Sequence, residues 1–297
     1  MVDLAVEIWL RIINALGRPG YPSAYRLDPG CSAALAALCR VNHTFQQAAE
    51  PVLYSVVFIS PGNLAAVTRA VTIHDNDKND VYPTKRGSCV KALAIATFED
   101  VLTNTQLQRT RRILDGLRPF IARILLGVNV RAGLFDNVQR LDNLEELCAF
   151  GHFPVSPDGS QWPKLKRLCF VPDRSRVILP ILSQIPSVDT CVYLELRDGY
   201  ACGDLIDHCM HTPGSQVITV VIPIAQSESF SEGMMMMWGC LRLHGDQKAR
   251  EAMERCQLVA TPDAPPNSRH PTTQEIACFA NEVINGRIWD MKGRPLP

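Results

Sequence analysis

Residues 141–170, LDNLEELCAFGHFPVSPDGSQWPKLKRLCF, contain one short pattern twice. The pattern is apolar-x-x-apolar-x-apolar; it occupies Leu144–Ala149 and returns 21 residues later at Leu165–Phe170. Charged residues occupy the first two intervening positions of each instance, in NLEEL and KLKRL. Alternation of apolar and polar residues is typical of a strand that buries one face. The stretch therefore predicts two similar strands from two successive structural units.

The same pattern recurs on both sides of this stretch. Its other instances are Val90, Leu93 and Ile95, then Cys191, Leu194 and Leu196, and finally Val217, Val220 and Ile222. The last residues of the final four instances lie 21, 26 and 26 residues apart, whereas 54 residues, about two periods, separate Ile95 from Ala149. This gap predicts a further unit, which Ile121, Ile124 and Leu126 supply unless that segment continues the helix that begins near Leu107.

A period of this length is that of leucine-rich repeats, and the sequence resembles degenerate repeats of this class. Each unit is a short strand followed by a helix or loop, and neighbouring units stack so that the strands form one parallel sheet. The charged positions predict that one face of this sheet is open. The unit lengths vary, and no asparagine follows the strands where such repeats usually have one. The alternative is a set of unrelated strands in a doubly wound α/β domain.

The pattern changes from about residue 226. Residues 256–262, CQLVATP, predict a strand, and residues 272–285, TTQEIACFANEVIN, predict a helix that ends at Asn285-Gly286. We interpret this region as the atypical closing end of the repeat stack.

The amino-terminal region has a different, helical pattern. Residues 3–16, DLAVEIWLRIINAL, have apolar residues at spacings of three and four, with Asp3 placed to cap the helix and Gly17 placed to end it. After a loop rich in proline and glycine, residues 31–41 predict a second helix and residues 42–59 a third, capped by Asn42. Pro51 is expected near the first turn of a short final segment. The prediction is three short helices in about 55 residues.

Such a unit is too small to be stable alone and needs a second apolar surface. The expected inner contacts join Leu35, Leu38, Val41 and Phe45 to Ile8 and Ile12. Leu4, Ala5 and Trp9 are then left partly uncovered. Either the rest of the chain or another protein covers them.

DLAVEIWLRIINAL followed by ALAALCRVNHTFQQAAEPVLY resembles the F-box over about residues 2–58, in the variant common in large fungal families. The matching residues are Leu4, Glu7, Ile8, Ile12, Leu16, Leu35, Leu38, Val41, Phe45, Ala49, Pro51, Leu53 and Tyr54. Two departures are Ala5, where the family usually has proline, and a longer first loop.

The resemblance implies an α/β protein with a small all-α F-box at 1–58 and an irregular repeat domain with a parallel sheet at 59–297. Proteins of this organisation are substrate receptors of cullin-RING ubiquitin ligases: the F-box docks on a Skp-type adaptor, and the repeats hold a target protein. The adaptor-binding residues implied here are Leu4, Ala5, Ile8, Trp9 and Ile12, with some of Leu35, Leu38, Val41 and Phe45. Such a chain is not an enzyme and needs no cofactor or metal. The alternatives are a repeat scaffold whose F-box-like helices pack on its own repeats, and an unrecognised hydrolase or transferase.

Composition excludes several other classes. The 30 basic and 30 acidic residues balance, so nothing in the bulk charge favours nucleic acid or anionic lipid. No apolar run reaches the roughly 18 residues of a membrane span. The 11 cysteines are odd in number, form no C-x-x-C motif and follow no export signal. We therefore expect reduced thiols and a cytoplasmic or nuclear location.

Three other clusters favour structural roles. Cys202, His208, Cys209 and His211 lack a standard zinc-finger spacing. Arg109, Arg111, Arg112, Arg118 and Arg123 form a basic stretch that could receive an acidic or phosphorylated target, but a solvated face is the commoner role. The Met234–Met237 run beside Trp238 is expected to pack in a core. Glycine-rich phosphate loops are absent from the sequence.

Overall fold

A computed structural model gives the fold of the chain. It describes residues 6–17, 24–75, 80–95, 102–127, 134, 138, 141–150, 162–171, 185, 187–194, 217–223, 247, 256–261, 273–290 and 294–295.

Three helices occupy the amino-terminal segment. They are α1 (Val6–Leu16), α2 (Pro29–Leu38) and α3 (His43–Leu53). The side chain of Asn42 caps α3 by accepting a hydrogen bond from the backbone N–H of Phe45 at 2.9 Å, as predicted. Asp28 caps α2 in the same way, with Pro29 following at the first helical turn. Local capping chemistry thus fixes where α2 and α3 begin.

The prediction for Pro51 is wrong. Proline lies inside the last turn of α3, and the chain then turns into β1 (Val56–Ile59). A proline in a helix removes one backbone donor and clashes with the preceding turn. The helix ends at Leu53, two residues beyond Pro51, so the disturbance is confined to its carboxyl end.

The rest of the described chain forms a mixed α/β structure around a parallel sheet, as predicted. The other helices and strands are α4 (Leu64–Val71), β2 (Thr72–Asp75), β3 (Asp80–Pro83), β4 (Ala92–Ile95), α5 (Asn104–Leu117), β5 (Arg123–Leu126), β6 (Glu146–Phe150), β7 (Arg167–Val171), β8 (Thr190–Leu194), β9 (Val217–Pro223), β10 (Cys256–Thr261), α6 (Thr273–Ile284) and β11 (Arg294–Pro295). Short 3-10 turns occupy Gly87–Cys89 and Arg287–Asp290.

Nine strands pair in the order β1-β4-β5-β6-β7-β8-β9-β10-β11. All neighbours are parallel except β10 and β11, which are antiparallel. The order follows the chain without the reversal that defines a doubly wound sheet. Residues 123–126 form a strand, so IARILL supplies the missing unit and does not continue α5. β2 and β3 form a separate two-stranded hairpin.

The predicted register of the last two units is wrong. Two rows of paired residues cross the sheet: Leu93, Ile124, Leu147, Leu168, Cys191 and Ile218, and then Ile95, Leu126, Ala149, Phe170, Tyr193 and Val220. Cys191 is thus the second residue of its unit instead of the first, and Val220 is the third instead of the second. The spacings along the second row are 21, 23 and 27 residues, from 149 to 170, 193 and 220.

One face of the sheet packs against the segments that connect the strands. This core includes side chains from α4 and α5 and the buried Trp162, whose indole N–H donates to the carbonyl oxygen of Val138 at 3.0 Å. The described helices contain none long and apolar enough to cross a bilayer.

The other face was expected to be open, and this expectation is wrong. Phe279, Val283 and Ile288 of the carboxyl-terminal segment and Tyr25 of the loop between α1 and α2 lie buried against it. Phe279 and Phe150 of β6 make an edge-to-face contact with ring centroids 5.6 Å apart. α6 therefore covers the sheet instead of only ending the stack, because its apolar side needs a surface to bury.

Candidate functional site

Two of the predicted adaptor-binding residues project from α1 into solvent. Ile8 is 44% exposed and Ile12 is 37% exposed. They are four residues apart and so lie one turn from each other on the same side of the helix. The prediction that both make inner contacts is wrong for this reason. Leu4 and Ala5 lie outside the described residues.

Trp9, Phe45 and Leu38 are half-buried and contribute to the interior of the three-helix unit. The ring centroids of Trp9 and Phe45 are 5.1 Å apart in an edge-to-face contact that joins α1 to α3. Phe45 and Leu38 pack against the core of the unit. Leu35 has no exposed surface and lies in that core, so it presents nothing to a partner.

Val41 lies in the turn between α2 and α3 and is 62% exposed. We use the term apolar surface for the exposed side chains of Ile8, Ile12 and Val41. Among the residues that the structure describes, none buries these three side chains. Burial of a large aliphatic side chain is favourable by about 1.5–3 kcal/mol, so these three exposed residues are candidates for contact with a partner.

Leu10 of α1 is also exposed, at 43%, and was not among the predicted site residues. Leu10 is about 200° around the helix from Ile8. The sequence contained a signal for this exposure, because apolar residues at 8, 9, 10, 12 and 13 occupy more than one side of the helix. Among the described residues of α1, only Ile13 is fully buried.

The basic stretch does not form one surface. Arg109 and Arg112 are exposed on α5, but Arg118 follows the helix and pairs with Asp142 at 3.0 Å. Arg123 belongs to β5, where its guanidinium lies over the Tyr25 ring at 5.5 Å. The cluster of Cys202, His208, Cys209 and His211 and the Met234–Met237 run lie outside the described residues.

Two buried thiols face each other across neighbouring strands. Cys148 of β6 and Cys169 of β7 are register partners with no exposed surface. Burial raises the pKa of the Cys169 thiol well above its ordinary value, and the neighbouring Cys148 raises it further. A thiol protonated in this way is a poor nucleophile.

The most unusual ionisable group is Glu146, the first residue of β6. Its side chain is fully buried, and Arg167 Nη2 lies 2.8 Å from Oε2. Arg167 in turn lies over the Trp289 ring at 5.3 Å. The sequence pattern predicted an open face at Glu146, whereas the carboxyl-terminal segment covers this face.

Burial raises the pKa of Glu146, and the charges of Arg167 and Arg123 only partly oppose this rise. The folded protein therefore binds a proton at pH values where the unfolded chain has released it, so this group's contribution to stability is present at low pH and is lost as the pH rises through the folded pKa. We expect Glu146→Gln to remove this dependence. Urea unfolding from about pH 4 to about pH 8 should show the stability of Glu146→Gln increasing relative to wild type as the pH rises.

The control for this prediction is Glu145→Gln, because Glu145 immediately precedes β6 and its side chain is exposed. Its stability curve should run parallel to that of wild type. Parallel curves for Glu146→Gln as well would show that the buried carboxyl group has an ordinary pKa.

Comparison of the chain with protein-family models, with curated proteins and with solved structures gave no significant match.

Proposed function

We propose that this protein is the substrate-recognition subunit of an SCF-type cullin-RING ubiquitin ligase in the cytoplasm or nucleus. In this proposal the three-helix unit is an F-box that docks on a Skp-type adaptor, and the adaptor links it to a cullin. The strand-and-helix units that follow act as an irregular leucine-rich-repeat solenoid and bind a target protein. The observation that carries the proposal is the exposure of Ile8, Ile12 and Val41 on that unit.

The proposed role requires no bond chemistry from this chain. A receptor of this kind raises the effective concentration of a target lysine near a ubiquitin-charged enzyme held elsewhere in the assembly. It therefore needs two separate surfaces, one for the adaptor and one for the target. The apolar surface supplies the first, and α6 leaves the second to parts of the solenoid other than the sheet face that it covers.

The test is a pull-down of the full chain with a purified Skp-type adaptor. We expect a one-to-one complex with wild type. Ile8→Asp or Val41→Asp should weaken the complex by at least about 30-fold, which corresponds to about 2 kcal/mol, because a charge replaces an apolar contact that the adaptor buries. Affinity is then measured by isothermal titration calorimetry.

The matched control is Ile73→Asp, which changes an isoleucine that is 57% exposed on the β2–β3 hairpin. This variant should bind the adaptor like wild type. All three variants alter exposed side chains, so their circular dichroism spectra should be unchanged. Absence of a complex with the wild-type chain would refute the ligase proposal.

One observation favours the alternative of a scaffold outside the ligase. The three-helix unit is joined to the rest of the chain by Arg86, which pairs with Glu50 of α3 at 2.7 Å and lies over the Tyr54 ring at 5.3 Å. Tyr25 adds a buried contact with the sheet. A scaffold of this kind would show no adaptor complex, so the same pull-down distinguishes the two functions.

A further inference from the structure

A polar groove of about 360 Å³ separates α3 from the end of α4 and the turn that follows β3. Its lining residues are His43, Gln46, Gln47, Glu50, Arg69, Ala70, Thr84, Lys85 and Arg86. The residues from α3 recur at spacings of three and four, so they form one side of that helix. The opposite wall brings together three basic side chains.

Among the described lining residues the one carboxylate is that of Glu50, and its charge is already balanced by an ion pair with Arg86. Glu50 Oε1 accepts hydrogen bonds from Arg86 Nε at 2.9 Å, from Arg86 Nη2 at 2.7 Å and from Gln46 Nε2 at 3.1 Å. Burial alone would raise the pKa of Glu50, but these hydrogen bonds and the charges of Arg86 and Lys85 lower it below its ordinary value. Glu50 is therefore ionised at neutral pH and holds Arg86 in place.

Arg69 and Lys85 leave two positive charges in excess. Both side chains are exposed, and among the described residues neither forms an ion pair. Like charges that converge on one concave surface repel each other, and the concave shape focuses their field on whatever enters. The groove is thus matched electrostatically to an anionic ligand.

The dimensions and the amide groups favour a peptide over a small anion. From His43 to Glu50 the wall of α3 extends about 10 Å, the length of about three residues of extended chain. Gln47 adds an exposed carboxamide, which has both a donor and an acceptor for the main chain of a peptide. Carboxylate side chains of such a peptide can then reach the cations of the opposite wall.

We propose that this groove binds an acidic peptide segment of the target protein, an assignment of target class that rests on the proposed receptor function. Arg69 and Lys85 pair with its carboxylates, and Arg86, held by Glu50, extends the same positive wall. The contact is distinct from adaptor docking, which uses Ile8, Ile12 and Val41.

The experiment measures binding of a short fluorescent peptide of alternating glutamate and alanine to the full chain by anisotropy, with a glutamine-for-glutamate peptide as the reference. We expect binding of the glutamate peptide that is at least about tenfold tighter than that of the reference and that weakens with added salt. The double variant Arg69→Gln/Lys85→Gln should lose this preference. The control, Arg109→Gln/Arg112→Gln, removes the same charge from exposed positions on α5 and should keep it.

Equal binding of the two peptides would overturn the assignment, because the carboxylates of the peptide would then contribute nothing to binding. An equal loss in both double variants would also overturn it, because the net charge of the protein alone would then explain the result. The adaptor pull-down separates this inference from the proposed function. Arg69→Gln/Lys85→Gln should bind the adaptor normally, and Ile8→Asp should bind the glutamate peptide normally. Loss of adaptor binding in the groove variant would assign the groove to the adaptor and overturn its assignment to the target.

Discussion

Replacing Tyr25 with alanine is expected to lower the free energy of unfolding by about 3–5 kcal/mol, the range for a large aromatic residue removed from a core. The ring has no exposed surface, and its hydroxyl donates to the carbonyl oxygen of Ile124 at 3.1 Å. Its backbone N–H also donates to the carbonyl oxygen of Ile284 at 2.7 Å, at the end of α6. Tyr25 thus joins the amino-terminal loop, the sheet and α6. Urea unfolding at neutral pH measures the change.

Tyr25→Phe is the matched control, since it retains the ring and removes only the hydroxyl. Its expected cost is about 0.5–1.5 kcal/mol, the usual net value of one hydrogen bond. Hydrogen exchange supplies a second measurement: Tyr25→Ala should increase exchange in residues 273–290, because α6 loses a packing partner. A change of no more than about 0.5 kcal/mol for Tyr25→Ala, the usual range of surface substitutions, would show that the loop does not anchor the sheet.

The parallel sheet was predictable from sequence because each early unit has one unambiguous pattern. At Leu144–Ala149 and Leu165–Phe170, charged residues separate the apolar positions and fix the register. The later units lack this separation. In VDTCVYLEL, residues 188–196, the pattern fits from Val188 and equally from Cys191, and the pairing of Cys191 with Leu168 is what selects the first. A shift of register between strands is decided by neighbours, which a single unit does not contain.

The covered face of the sheet was not predictable from local pattern. Glu146 and Arg167 are charged, as residues of a solvent-exposed strand usually are, and the hydrogen bond that joins Tyr25 to the sheet spans 99 residues of sequence. Charged side chains are tolerated beneath the carboxyl-terminal segment because Arg123 and Arg167 flank the Glu146 carboxylate. Their guanidinium groups lie over the rings of Tyr25 and Trp289, respectively. A sequence pattern predicts that charged residues face solvent, because most charged side chains in proteins are exposed.

The sequence predicted which residues are candidates for adaptor binding. It did not predict which of their side chains face inward and which face solvent. The apolar residues of α1 surround more than half of the helix, so hydrophobicity alone does not decide which of Ile8, Trp9 and Ile13 faces inward. The contact of Trp9 with Phe45 and the burial of Ile13 decide it. This leaves Ile8 and Ile12 exposed.

Gly87→Ala is expected to destabilise the fold by about 3 kcal/mol, the upper part of the range for overpacking a core. A methyl group at this position would overlap the carbonyl oxygen of Val71 and lie 3.0 Å from Leu117 Cδ2. The Val71 carbonyl also accepts a hydrogen bond from the backbone N–H of Thr84 at 2.9 Å. Since Val71 is buried in the sheet core, the backbone cannot move away without opening that core. Urea unfolding of wild type and variant gives the difference.

Gly62→Ala is the control, because a methyl group at Gly62 would meet no atom within 4 Å. Neither glycine has a positive φ, so alanine is compatible with the backbone at both positions and only the local space differs. Gly62→Ala should change the free energy of unfolding by no more than about 0.5 kcal/mol, or raise it slightly by restricting the unfolded chain. Equal effects at the two positions would mean that the turn at Gly87–Cys89 does not pass so close to α4. A large loss at Gly87 alone would instead identify the close approach of this turn to Val71 as a requirement of the fold.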